Sequence, residues 1–285
     1  MFSYHANPAN IALVFTQFVV LIITSIVISN PIVRLYALMT DGDLIMPPIC
    51  KPLMGLFFTS FLFATSAQAQ LLPHYLTDTL SSKAPELNQT VLNKALMSMQ
   101  CATNNGMPNA ERLAVIDFSL PSTEKRLWIF DLTNQSLVLE ELVAHGNNTG
   151  DKYATDFSNI VGSHQSSIGL FRTQESYFGR HGYSLRMDGL EPGINDNARD
   201  RAIVIHAADY VDPEWIERYG RIGRSQGCPA VRQEVVDQVV DNLKDGQFLF
   251  TYYPDQDWLQ SSAFLNCQPQ RVAEYIAPFS VGKGS

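Results

Sequence analysis

From Arg112 onward the chain is written in short runs of branched and aromatic residues, each closed by a polar turn. Leu113–Phe118, Arg126–Asp131 and Ser136–Leu139 come first, separated by Pro121-Ser122 and Thr133-Asn134-Gln135. Runs of this length and composition suit a pleated, buried surface better than a helix. They predict an antiparallel meander. Gly169–Thr173, Tyr183–Met187, Ala202–His206 and Phe248–Tyr253 predict further strands. Helical patterns flank them. Leu87, Val91, Leu92, Ala95, Leu96 and Met99 recur at three- and four-residue spacing, which predicts a helix over Pro85–Gln100. Pro85 suits its first turn, and Ser81 or Ser82 its cap. Val235, Val236, Val239, Val240 and Leu243 predict a second helix over Arg232–Lys244, stopped by Gly246. Gln70–Ser82 is polar and patternless, and Glu191–Asp200 is a polar loop. The fold class expected is mainly β with flanking helices, an α+β domain.

The N-terminus carries two apolar stretches. Ile11–Ser29 is uncharged and long enough for one membrane span. Pro52–Thr65 follows Lys51 and ends in Ser66-Ala67-Gln68-Ala69, small residues placed for a cut after Ala69. That order describes a secretory signal peptide over residues 46–69. On one reading translation starts at Met46 and residues 1–45 are a mis-assigned start. On the other, 11–29 anchors the chain in a membrane. Either way residues 70–285 are expected outside the cytoplasm, in the periplasm, as a single domain large enough for a full core. The net charge of −8 resides in that segment. An acidic balance argues against nucleic-acid binding and against attraction to an anionic membrane.

Cys50 leaves with the signal, so Cys101, Cys228 and Cys267 remain. In an oxidising compartment an odd number suggests a pair plus a free thiol. Cys101 and Cys267 lie near the two ends of the domain and are the expected pair. The alternatives are three reduced thiols, or a bridge that includes Cys228.

Cys228 sits in Gly223-Arg224-Ser225-Gln226-Gly227-Cys228-Pro229-Ala230, and His206 ends the apolar run Ala202–Ile205. Sulfur reacts as thiolate, and an adjacent imidazole lowers the thiol pKa or takes its proton. Gly227 lets a backbone amide approach a substrate, and a helix beginning near Arg232 would point its positive end at the loop. His145, His164 and His181 stand in loops, where surface positions are the commoner case. His145, His181, His206 and Cys228 could together hold zinc, but no C-x-x-C or H-E-x-x-H spacing accompanies them. No metal or organic cofactor is expected. Neither G-x-S-x-G nor a phosphate-binding glycine loop is present.

These residues resemble the L,D-transpeptidase catalytic domain, the YkuD-like fold, and within it a divergent murein L,D-transpeptidase-like branch. His206 followed by Ser225-Gln226-Gly227-Cys228 is similar to that family's histidine and Ser/Thr-His-Gly-Cys signature. Ser166-Ser167-Ile168-Gly169-Leu170-Phe171 is similar to an earlier family element, Thr-Pro-x-Gly-x-Phe. Phe157-Ser158-Asn159, His181–Leu185 and Asp209-Tyr210-Val211 also resemble the divergent branch, so the likeness covers roughly residues 110–255. It implies a β-sandwich or barrel, Cys228 as nucleophile and His206 as base. It further implies that the Ala207 carbonyl orients the imidazole, and that the Gly227 and Cys228 amides form an oxyanion hole. Ser225, Gln226, Arg224 and Arg232 become candidates for substrate contact. The partners implied are peptidoglycan stem peptides, with acylation by carbapenems. Gln226 stands where the family has its loop histidine, and the gap between His206 and Cys228 is long. Hydrolysis by the same pair (carboxypeptidase, amidase or endopeptidase) and a non-catalytic wall-binding module are the other readings.

Overall fold

The computed structural model describes residues 75–280. The apolar stretches at 11–29 and 52–65, the segment 1–45 and the cut after Ala69 lie outside the described residues. Among the described residues no helix is long and apolar enough to cross a membrane.

Among the described residues, eight strands form one sheet: β1 (Arg112–Asp117), β2 (Leu127–Asp131), β3 (Ser136–Glu141), β4 (Gly169–Gly179), β5 (Gly182–Gly189), β6 (Val204–Ala207), β7 (Ala230–Val231) and β8 (Phe248–Tyr252). Their order is β3-β2-β1-β8-β4-β5-β6-β7. The two edges nearly meet. Just past β3, the Ala144 N–H donates to the Ala230 carbonyl at 2.8 Å, an isolated antiparallel bridge that bends the sheet toward a barrel. The expected meander holds for β1, β2 and β3, which pair antiparallel. Beyond those three strands the sheet is mixed, because β1–β8 and β6–β7 are parallel. Parallel neighbours need long crossovers, and each of these pairs is joined through intervening elements far apart in sequence.

Alternation along the strands divides the interior in two. Leu113, Val115, Trp128, Phe130, Phe248 and Phe250 face one core. Ala114, Ile116, Leu127, Ile129 and Leu249, one residue out of step, face the other. A strand buried on both faces shows no apolar–polar alternation, which is why β2 is buried at every position.

The first core is closed by α1 (Gln89–Asn104), whose Val91, Leu92, Ala95 and Leu96 lie against the sheet. This helix starts four residues later than its periodicity suggested. The Asn88 side chain, not a serine, caps it by accepting from Thr90 N at 2.8 Å. The preceding stretch is not patternless coil: residues 75–81 are helical and bury Leu80. Three further helices went unpredicted: α2 (Pro213–Tyr219), α4 (Gln256–Ser261) and α5 (Pro269–Ser280). The second core is closed by α3 (Val236–Leu243), which buries Val236, Val239, Val240 and Leu243. Its start at Val236 corrects the expected Arg232, since a turn intervenes. The helix therefore begins beyond β7 and does not lead out of the cysteine loop.

Cys101 on α1 is bonded to Cys267, just before α5, across 166 residues. The polar stretch after β5 is pinned from within. Buried Glu191 accepts from Leu170 N, Trp258 Nε1 and Ser262 Oγ, and burial raises its carboxyl pKa. Asn195 donates to the carbonyls of Ile168 and Leu170. These bonds fix the start of β4 against α4. Replacing Cys267 with serine is expected to lower unfolding free energy by about 2–5 kcal/mol. Denaturant titration under oxidising conditions checks this, and an unchanged midpoint would refute the stapling role.

Candidate active site

Strand register brings the histidine to the cysteine. In the parallel β6–β7 pair, His206 lies opposite Ala230 and Ala207 opposite Val231. Two residues back along both strands, Val204 meets Cys228, and its N–H donates to the Cys228 sulfur at 3.5 Å. On its other side β6 pairs with β5, where Ser184 faces His206. The histidine backbone is thus held between two strands.

The imidazole tautomer follows from one bond. His206 Nδ1 lies 2.7 Å from the Ala207 carbonyl oxygen. A carbonyl only accepts, so Nδ1 carries the proton and Nε2 is left bare. Burial pushes the His206 pKa below its ordinary value, the Ala207 bond opposes that, and His181 lowers it further. His181, from the β4–β5 turn, stacks on the His206 ring with centroids 4.5 Å apart.

The cysteine is a free, half-buried thiol. Its S–H is directed at the Ala202 carbonyl at 3.7 Å. A direct hydrogen bond to His206 is not among its contacts in the described residues, because the sulfur rests on the backbone of 202–204. Both side chains line one cavity of about 530 Å³. The sequence suggested a lowered thiol pKa. Burial instead raises it, partly offset by the Val204 N–H and the charge of Arg201. With α3 starting beyond β7, no helix end compensates. Both shifts favour the uncharged forms of thiol and imidazole.

Arg201, which the sequence reading passed over, holds the wall. It donates to Ser158 O and Ser167 Oγ, each at 2.6 Å, to Ser163 Oγ at 3.2 Å, and to Gln165 O. All four acceptors are neutral, so its charge remains available to the neighbouring sulfur. The next residue, Ala202, has φ of 52°, a left-handed conformation that costs a non-glycine residue about 1–3 kcal/mol. Its polar, loop-borne acceptors gave no sequence signal beyond the serines near Ser166.

The cysteine loop is strapped down by hydroxyls. Ser225 Oγ donates to Cys228 O at 2.6 Å and accepts from Gly227 N at 3.1 Å. Ser166 Oγ donates to Gly227 O and accepts from Gly146 N. The Gly227 amide expected in an oxyanion hole is thus occupied by Ser225. Gly227 itself has φ of 115°, and a Cβ there would stand 2.7 Å from Gln165 O.

The remaining candidates divide. Arg224, Ser225 and Gln226 line the cavity with His206 and Cys228. Arg232 does not; it pairs with Glu141 at 2.5 Å. His164 and His181 line the cavity, whereas His145 is wholly buried rather than on the surface. Arg126 donates to its Nδ1 at 2.7 Å, and burial with that cation pushes its pKa down to about 3. Among the described residues no three His, Cys, Asp or Glu side chains gather as a metal-binding group.

Two outcomes are expected. Gly227→Ala should destabilise the fold by about 1–3 kcal/mol and slow alkylation of Cys228, read by thermal melting and iodoacetamide kinetics; wild-type values in both would refute the strap. In the wild type, the raised thiol pKa means that alkylation keeps climbing as pH rises past the ordinary thiol value. A plateau below pH 7 would show a preformed thiolate.

A family model described as the L,D-transpeptidase catalytic domain matches residues 83–252. No curated protein matches the chain. Among solved structures, an L,D-transpeptidase from Mycobacterium smegmatis is 13% identical, with 51% of this chain and 60% of that one covered and a TM-score of 0.32. Bd1075 of Bdellovibrio bacteriovorus is 17% identical, with 60% and 55% covered and a TM-score of 0.32. The L,D-transpeptidase LdtMt1 in complex with imipenem is 13% identical, with 50% and 59% covered and a TM-score of 0.30. The match thus spans less than two thirds of each of these proteins.

Proposed function

The chain belongs to the L,D-transpeptidase catalytic-domain family, and we propose that it is an exported cysteine acyltransferase acting on peptidoglycan stem peptides. The observation that carries this reading is the shared cavity: the thiol of Cys228 and the imidazole of His206 line it together.

Proton transfer and attack are coupled, because both groups start neutral. Rotation about the Cys228 Cα–Cβ bond exchanges the Ala202 carbonyl for His206 Nε2 as proton acceptor. The sulfur attacks the carbonyl of the L-centre residue, diaminopimelate, as its proton passes to Nε2. The imidazolium that forms donates its Nδ1 proton to Ala207 O throughout. The backbone N–H of Cys228 faces the developing oxyanion; the Gly227 amide joins it only if Ser225 lets go. Arg201 offsets the negative charge from the protein side. Collapse breaks the amide bond, and His206 returns the proton to the departing D-alanine amine. The thioester then acylates an amine of a second stem, or water. His206 takes the proton of that nucleophile and returns it to the cysteine sulfur. No metal or organic cofactor takes part in these steps, and the thioester-forming cysteine is the group a carbapenem would acylate.

Purified stem peptides incubated with the enzyme should give condensation products by mass. Cys228→Ala should abolish them, and His206→Gln should lower turnover by about 10²–10⁴-fold, with both variants folded by circular dichroism. Products carrying only added water would replace the transferase by a hydrolase. Wild-type activity in folded Cys228→Ala would overturn the mechanism. The lowered His206 pKa keeps the base neutral through pH 7, so turnover should fall only as pH drops below the ordinary imidazole value.

A further inference from the structure

The cavity around Cys228 is lined by Arg180, Arg201 and Arg224 and by His164, His181 and His206, with no Asp or Glu among its lining residues. In a chain of net charge −8, a wall with no carboxylate stands apart. The three arginines are not equivalent. Arg201 has its donors bound to Ser158, Ser163, Gln165 and Ser167. Arg224 donates to the carbonyls of Asn147 and Gly150 and lies 3.5 Å from Asp151. Arg180 alone has neither a hydrogen bond nor an ion pair among the described residues.

Its position is fixed although its head group is free. Arg180 and His181 are the two turn residues between Gly179 and Gly182, which pair across the β4–β5 hairpin. His181 is stacked on His206, and Tyr177 lies beneath the guanidinium of Arg186, 4.4 Å from ring centroid to carbon. The hairpin therefore carries an uncommitted guanidinium to the rim of the cavity, one residue from a ring in contact with the base. A guanidinium presents a planar fork of donors that fits a carboxylate bidentately.

We propose that Arg180 is a specificity-determining residue that binds a free carboxylate of the acyl-donor peptide, beside the carbonyl attacked by Cys228. This rests on the acyl-transfer reading for the identity of the peptide, but not for the existence of the anion site. Recognition of a carboxylate here orients the scissile carbonyl and discriminates against donors whose carboxyl is amidated, because the guanidinium then loses its ionic partner.

The test compares iodoacetate, which carries a carboxylate, with iodoacetamide, which does not, as alkylators of Cys228. The proposal expects Arg180→Gln to lower the iodoacetate rate about tenfold while leaving the iodoacetamide rate unchanged. Arg180→Lys should retain most of the iodoacetate rate. Added salt should narrow the difference in the wild type. A rate ratio unchanged in Arg180→Gln, or lowered only in Arg224→Gln, overturns the proposal. With stem peptides, Arg180→Gln should raise KM for the free-acid donor and not for its amide, with kcat less affected. An enzyme inert toward every stem but with the alkylation difference intact would contradict the transferase reading and leave the anion site standing.

Discussion

The parallel pairing of β6 with β7 is the constraint on which the site depends. β7 is only two residues long, yet it ties the loop ending in Cys228 to the strand carrying His206. β7 also receives Ala144 from beyond β3, so one short strand both closes the sheet and holds the cysteine loop. A slip of one residue in this register would turn the histidine to the opposite face. The surrounding hydroxyl straps, Ser225 and Ser166, hold the loop where Gly227 passes close to the Gln165 carbonyl.

The electrostatics follow from that placement. Burial raises the thiol pKa and lowers that of the imidazole, so both shifts favour the uncharged forms. On the proposed mechanism, activation would wait until substrate fills the cavity and the proton moves with the attack. The positive charges stay on the protein wall: Arg201 behind the cysteine, Arg224 tied to its loop and Arg180 at the mouth. A pocket so arranged favours negative charge as it develops.

The centre of the sheet was legible because β1, β2 and β8 are buried on both faces, and buried strands read as continuous apolar runs. The β1, β2 and β8 segments fall within a residue or two of their expected bounds. The parallel joints were not legible, since pairing partners far apart in sequence leave no local trace. α2 was announced by Asp212 as cap, Pro213 at its first turn and Gly220 at its end, signals that were present but not read. α4 is six residues long and depends on Asp255 accepting from Trp258 N, too short for periodicity to show. At the site, the Ser225–Cys228 loop and His206 could be named from their resemblance to a family signature. Arg201 and the His181 stack could not, because both arise from loops folding back over the strand ends. The helix-end activation expected for the thiol failed because β7 and a turn separate Cys228 from α3.

On the proposed mechanism Cys228 forms a covalent acyl enzyme with the help of His206. Intact-protein mass after exposure to a carbapenem tests it most directly. One adduct per chain is expected, mapped by peptide digestion to Cys228 and formed much more slowly in His206→Gln. An unmodified protein, or an adduct on any other residue, would contradict it.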